Sequence, residues 1–197
     1  MTRSETIRIY DERAAEYAKM TNADADAGKQ LRLFMTHLPD GGRVLDLGCG
    51  PGAAAAAMAK AGFIAEATDA SGEMVALANK HPGVSARQAL FDDISGEGIY
   101  DGIWASFSLL HAPRADFPTY LSALHKALKP GGTFYIGMKL GTGEGPDRLG
   151  RFYTYYSQEE LEDHMTHTGF TITNRTLGAG VGLDGSTSDW IAVIAHA

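Results

Sequence analysis

The chain has 197 residues, 17 basic against 24 acidic side chains for a formal charge of −7, and 44% hydrophobic residues, which is one domain with a real core. No run approaches the roughly 18 apolar residues of a membrane span and Met1–Tyr10 lacks a secretory apolar core, so a cytoplasmic chain without a membrane partner is expected. The acidic balance without a Lys/Arg run argues against nucleic acid, and a single cysteine, Cys49, excludes an intrachain disulfide or a cysteine-built zinc site, so no metal is expected.

In chain order, Tyr10, Ala14 and Tyr17 recur at helical spacing, as do Leu31, Phe34, Met35 and Leu38 before Pro39, with a polar, turn-like stretch over Thr21–Gly28 between them. Residues 1–40 therefore read as an amino-terminal helical lid on a core at 41–197, the whole forming a single domain. From Arg43 onward short apolar runs alternate with helical stretches, the pattern of βαβ units on a parallel sheet. Strands are predicted at Val44–Gly48, Phe63–Thr68, Val84–Leu90, Asp101–Ser106 and Thr133–Lys139. Between them Pro51 suits a first helical position, Ala53–Ala57 propagates a helix, and Gly62 ends it. Asp116 is placed to cap a helix whose apolar face runs Phe117, Tyr120, Leu121, Leu124 and Leu128 and which stops at Lys129-Pro130-Gly131-Gly132. Ser157 with Glu160 forms a capping box for a last helix closed by Gly169. Thr171–Leu177 and Trp190–Ala195 read as an antiparallel edge hairpin joined by the glycine-rich Gly178–Ser188.

Val44-Leu45-Asp46-Leu47-Gly48-Cys49-Gly50-Pro51-Gly52 is a strand entering a glycine turn and then a helix, an arrangement that brings backbone close to a nucleotide. The spacing also fits a loose dinucleotide pattern through Gly48, Gly50 and Ala53, so a nicotinamide or flavin enzyme has to be weighed. Against it, Asp46 puts a carboxylate at the strand end, and Pro51 removes a backbone donor where a pyrophosphate would bind. Asp69 follows the second strand about 20 residues after the glycines, the position that accepts from ribose hydroxyls, and Asp92 and Asp93 follow the third. Converging strand ends would make Asp46, Asp69 and these aspartates an acidic pocket that repels phosphate and welcomes a cation.

VLDLGCGPG, ATDAS, the post-strand FDD, YDGIWASFSLLH and LKPGG, spanning Arg43–Lys139, resemble the class I S-adenosylmethionine-dependent methyltransferases. The resemblance implies an α/β, Rossmann-like doubly wound sheet of about seven strands in the order 3-2-1-4-5-7-6 with the last strand antiparallel. It implies S-adenosyl-L-methionine as cofactor, with S-adenosyl-L-homocysteine as product. Carried over residue by residue, Asp46, Gly48, Cys49 and Gly50 line the methionine and ribose portion, Asp69 holds the ribose hydroxyls, and Ala70, Met74, Phe91 and Asp92 lie beside the adenine. Ala105, Ser106 and His111 face the methionine end. The segments Leu109–Arg114 and Lys139–Tyr153 look similar to small bacterial tellurite-resistance-like methyltransferases.

Methyl transfer needs alignment of nucleophile and methyl carbon at ~3–3.5 Å and exclusion of water, so a base is optional. His111 is the candidate, because an imidazole titrates near neutrality. His164 and His167 sit in a helix's last turn, where they suit the dipole. Tyr10 and Tyr17 are lid candidates, Tyr17 toward the cofactor. Tyr10, Arg148, Arg151 and Tyr153 are assigned to a small-molecule acceptor, the arginines orienting an acidic one. The expected enzyme is a monomer or homodimer; an NAD(P)-dependent oxidoreductase and a noncatalytic S-adenosylmethionine-binding module remain the alternatives.

Overall fold

The computed structural model describes residues 3–21 and 25–197; the start of the amino-terminal stretch and the middle of the predicted 21–28 turn lie outside them. From Ala25 that turn is already helix. Three helices, α1 (Arg3–Glu12), α2 (Ala14–Thr21) and α3 (Ala25–Met35), precede the sheet. The strands and helices then alternate: β1 (Arg43–Leu47), α4 (Ala53–Lys60), β2 (Ile64–Asp69), α5 (Gly72–Ala78), β3 (Val84–Gln88), β4 (Tyr100–Ser106), α6 (Phe117–Ala127) and β5 (Leu128–Lys139). A small hairpin, β6 (Glu144–Pro146) with β7 (Phe152–Thr154), comes before α7 (Gln158–Thr168), β8 (Thr171–Val181) and β9 (Thr187–His196).

The large sheet has seven strands in the order β3-β2-β1-β4-β5-β9-β8. This is the expected order once the inserted β6–β7 hairpin is set aside. β1 to β5 run parallel to one another, and β9 enters antiparallel beside β5, Lys139 opposite Trp190. Strand parity divides the core between the two faces. Ile103 and Ala105 of β4 pack with Phe117, Leu121 and Leu124 of α6 and Leu161 and Met165 of α7. Trp104 looks the other way, joining Leu31 and Phe34 of α3 and Met58 of α4. That alternation follows from the two-residue repeat of a strand. Among the described residues no helix is long and apolar enough to cross a membrane.

Several local expectations change. α4 begins at Ala53 with Gly52 as its left-handed cap, so Pro51 lies in the preceding turn. Asp116 precedes α6 without a side-chain capping bond, and Pro118 sits in the first turn. Lys129-Pro130-Gly131-Gly132 is a bulge at the start of β5, where Tyr100 pairs with Leu128 and Gly102 with Thr133. The largest change is at the carboxy-terminal hairpin. Gly178–Ser188 is mostly ladder, with Gly178 opposite Trp190, Gly180 opposite Ser188 and Val181 opposite Thr187. Glycine reads as loop in a sequence, but here Trp190 needs the space: a Cβ on Gly178 would stand 2.3 Å from its Cζ2. Gly178→Val, although it raises strand propensity, is therefore expected to lower stability by about 1–3 kcal/mol by overpacking. Urea unfolding checks this, and a variant as stable as the parent would show that the indole moves away without cost.

Candidate active site

The carboxyl ends of β1, β2 and β4 open on one edge, as they do in doubly wound sheets, and two connected cavities lie there. A narrow slot of about 100 Å³ is lined by Gly48, Gly50, Asp69, Ala70, Met74, Phe91, Ser106 and His111, and is roofed by Thr6, Ile7 and Tyr10 of α1 and Tyr17 of α2. A wider cavity of about 600 Å³ includes Asp46, Cys49, Trp104, Tyr135, Lys139, Arg151, Tyr153 and Trp190. Tyr10, Tyr17, Gly48, Gly50, Ser106 and Phe107 line both.

The glycine turn works by close approach. Gly48 has φ +71° and a Cβ on it would lie 2.3 Å from the Ser108 Cβ, so only glycine lets the β1 turn meet the loop after β4. Asp69, at the end of β2, accepts from Gly50 N at 2.8 Å through one oxygen and from Ser71 N at 2.9 Å through the other. Burial pushes its carboxyl up, and these backbone donors oppose the push. Asp46 accepts from Ala55 N at 3.0 Å and is almost completely buried, which pushes its carboxyl up to about 7. The Cys49 thiol is also pushed up, by burial and by the nearby Asp46 and Asp69. Ser71 caps α5 by accepting from Met74 N at 3.1 Å, and its hydroxyl donates to Asp11 of α1 at 2.5 Å.

On the other side of the slot, His111 Nδ1 donates to the Phe152 carbonyl at 2.6 Å. That leaves Nε2 to accept from the Tyr10 hydroxyl at 2.8 Å. Tyr10 in turn accepts from Arg151 Nη1 at 3.0 Å, and Arg151 pairs with Asp147 through Nε at 2.9 Å and Nη2 at 2.6 Å. Thr6 of α1 accepts from Phe152 N at 2.9 Å. The amino-terminal helix is thus bonded to the β6–β7 hairpin and, through Asp11, to α5.

Three sequence assignments take different places, and a fourth, His111, keeps its place but not its expected titration. Ala105 is fully buried in the core beneath β4 and lines neither cavity, because strand parity turns it away from Ser106. Asp92 is exposed in the turn after β3 and accepts from the Tyr120 hydroxyl at 2.6 Å, outside both cavities. Arg148 is exposed and also outside, because the 147–150 turn closes on Asp147, whose Oδ1 accepts from Leu149 N and Arg151 N, both at 2.9 Å. His111 does not titrate near neutrality: burial pushes it down to about 4.

Sequence reasoning did not single out Thr6, Ile7, Phe107, Ser108, Lys139 or Trp190. Thr6 and Tyr10 stand at i, i+4, a readable spacing; the rest depend on contacts distant in the chain. Phe107, with φ 53°, is the one non-glycine residue of positive φ among the described residues and sits where the two cavities join. Such strain persists where the surroundings hold it, here Phe107 N donating to Gly137 O at 3.0 Å and the ring meeting Trp190 edge-on at 6.2 Å.

Because His111 is neutral in the fold and its ordinary value is 6.5, the unfolded chain takes up the proton first. Its stabilising contribution is complete above pH 6.5 and falls as pH drops toward 4. Between pH 7 and pH 5 the loss is about 2 kcal/mol. His111→Gln should flatten that part of the pH profile of urea unfolding. Equal slopes in parent and variant would mean that the imidazole titrates in the fold as it does in the unfolded chain.

Comparison with known proteins agrees with this architecture. The Xanthomonas campestris pv. campestris ubiquinone biosynthesis O-methyltransferase is 35% identical over 103 residues, 49% of this chain and 42% of the relative. The chain spans about half the length of the curated relatives it matches, or less. Among solved folds, Burkholderia thailandensis 1,6-didemethyltoxoflavin-N1-methyltransferase, solved with 1,6-didemethyltoxoflavin and S-adenosylhomocysteine bound, has a TM-score of 0.80 at 21% identity, covering 98% of this chain and 87% of that one. A TehB-like S-adenosylmethionine-dependent methyltransferase from Corynebacterium glutamicum has a TM-score of 0.69 at 19% identity, covering 93% and 97%. Residues 17–174 match the family described as methyltransferase domain, and the chain belongs to that family.

Proposed function

We propose that the chain is an S-adenosylmethionine-dependent methyltransferase whose acceptor is a small molecule. The observation that carries this reading is the joined pair of cavities: a slot shaped by the glycine turn and Asp69, opening through shared residues into an aromatic chamber. The slot's residues fit the cofactor. Thr68 Oγ1 and Ser108 Oγ are buried there without a hydrogen-bond partner, which a ligand's polar groups would supply. No Lys or Arg stands among the described lining residues of the slot, which suits a ligand with a sulfonium and an ammonium better than a dinucleotide's phosphates.

In this reading Asp69 accepts from the ribose hydroxyls, Ala70, Met74 and Phe91 border the adenine, and Gly48 and Gly50 allow close approach along the methionine. S-adenosylmethionine supplies an activated methyl group. The chain's residues orient the acceptor and keep water out, the larger part of what such a displacement asks of a protein. α1 and α2 act as a lid, held by Tyr10 and Asp11. His111 is a positioning residue: neutral and already accepting from Tyr10, it fixes the tyrosine over the junction of the cavities. Arg151 and Tyr153 border the acceptor, Arg151 with most of its donors committed to Asp147 and Tyr10. Segments 109–114 and 139–153 support a place near the tellurite-resistance-like subgroup. A small acceptor is also in keeping with the ubiquinone-pathway relative.

Calorimetric titration of the protein with S-adenosylmethionine, S-adenosylhomocysteine and NAD tests the cofactor: micromolar binding of the first two alone is expected, and binding of NAD alone would overturn the reading. Asp46 adds a sharper outcome. With its carboxyl at about 7, a cationic sulfonium nearby should expel about half a proton at pH 7. Titrations in two buffers of different ionisation enthalpy measure that release. Asp46→Asn should abolish it, and equal release from the variant would place the proton elsewhere.

A further inference from the structure

The larger cavity contains a cation, Lys139, that makes no direct ion pair among the described residues. Lys139, at the end of β5, projects into it half-buried, and its Nζ rests 4.8 Å from the centre of the Tyr153 ring. No hydrogen bond is recorded for that ammonium, and no carboxylate among the described residues lies within ion-pair distance of it. Asp184 and Asp147 act on it from beyond ion-pair distance, Asp184 more strongly. Arg151 and Asp147 neutralise each other at 2.6 Å. Asp184, on the β8–β9 turn, accepts from Ser186 N at 3.0 Å and Ser186 Oγ at 2.6 Å. Asp46, also on the cavity wall, sits near the midpoint of its titration at neutral pH.

The walls around Lys139 are flat and aromatic. Trp104 stacks on Tyr135 with ring centres 3.6 Å apart and planes 13° from parallel, and Trp190 meets Phe107 edge-on. Aromatic walls with one convergent charge are the usual form of a site that orients a small planar ligand. We propose that Lys139 anchors the acceptor, its ammonium binding the carboxylate or ionised hydroxyl of a small aromatic compound held between these rings. This rests on the methyltransferase reading and goes beyond it, giving the acceptor a charge and a shape. Burial pushes the Lys139 ammonium down from its ordinary value, with Asp184 opposing; a bound anion would reverse that push.

Trp104 and Trp190 are the chain's two tryptophans and both line the cavity, so intrinsic fluorescence reports on it directly. The probes are benzoate and 4-hydroxybenzoate against benzamide and 4-hydroxybenzamide, titrated with and without saturating S-adenosylhomocysteine. In the parent each carboxylate should bind about tenfold or more tightly than its amide. Lys139→Gln should bring the two within about twofold while Lys139→Arg keeps the preference, with S-adenosylhomocysteine affinity unchanged in both. Absence of carboxylate preference in the parent, including binding of neither class, overturns the proposal. So does a preference that survives in Lys139→Gln, which would assign the anion to Arg151. Failure of S-adenosylhomocysteine to bind would instead sink the methyltransferase reading, and the carboxylate–amide comparison on the protein alone still decides the role of Lys139.

Discussion

The buried pair between Arg151 and Asp147 organises the site. Both side chains are almost completely removed from solvent, where desolvation is costly and an ion pair persists only if its remaining donors and acceptors are satisfied. Here they are: Asp147 also accepts from two backbone N–H groups of its own turn, and Arg151 spends its remaining Nη1 on Tyr10. The charge pair thereby fixes the hydroxyl of a residue 141 positions earlier, and that hydroxyl fixes His111. The amino-terminal helix, which has no strand to hold it, is bonded over the slot through this chain and through Asp11.

A second consequence is electrostatic. Because Arg151 is neutralised where it stands, it contributes direction more than net charge to the larger cavity, and Lys139 is left there without a direct ion pair among the described residues. The slot on the other side of the junction presents Asp69, and Asp46 stands close by on the chamber wall. An anion in the larger cavity would meet Lys139, with Asp46 on the same wall near the midpoint of its titration at neutral pH.

Much of this was legible in the chain. The alternation of apolar runs with helical stretches, the glycine turn after Val44–Leu47 and the aspartate ending the second strand are local signals, and local signals survive because strand parity and turn geometry are fixed within a few residues. They located the crevice and brought Gly48, Gly50 and Asp69 to it, while the family resemblance implied Ala70, Met74 and Ser106. The resemblance also implied Ala105, which strand parity turns into the core. Local reading took Gly178–Ser188 for a loop because a glycine that makes room for an indole looks in sequence like one that makes a turn.

The sequence by itself determined the order of elements, the glycine turn and the carboxylate at the end of β2, all of which depend on neighbours within a few residues. Only the tertiary structure decided that Arg151 is an internal counterion while Arg148 faces solvent, that His111 is neutral beneath Tyr10, and that Lys139 stands among aromatic rings without a direct ion pair among the described residues. Those outcomes depend on which groups are brought together from distant parts of the chain and on how much water is removed around them. A side chain's charge and availability are set by that desolvated surrounding, which no local pattern records.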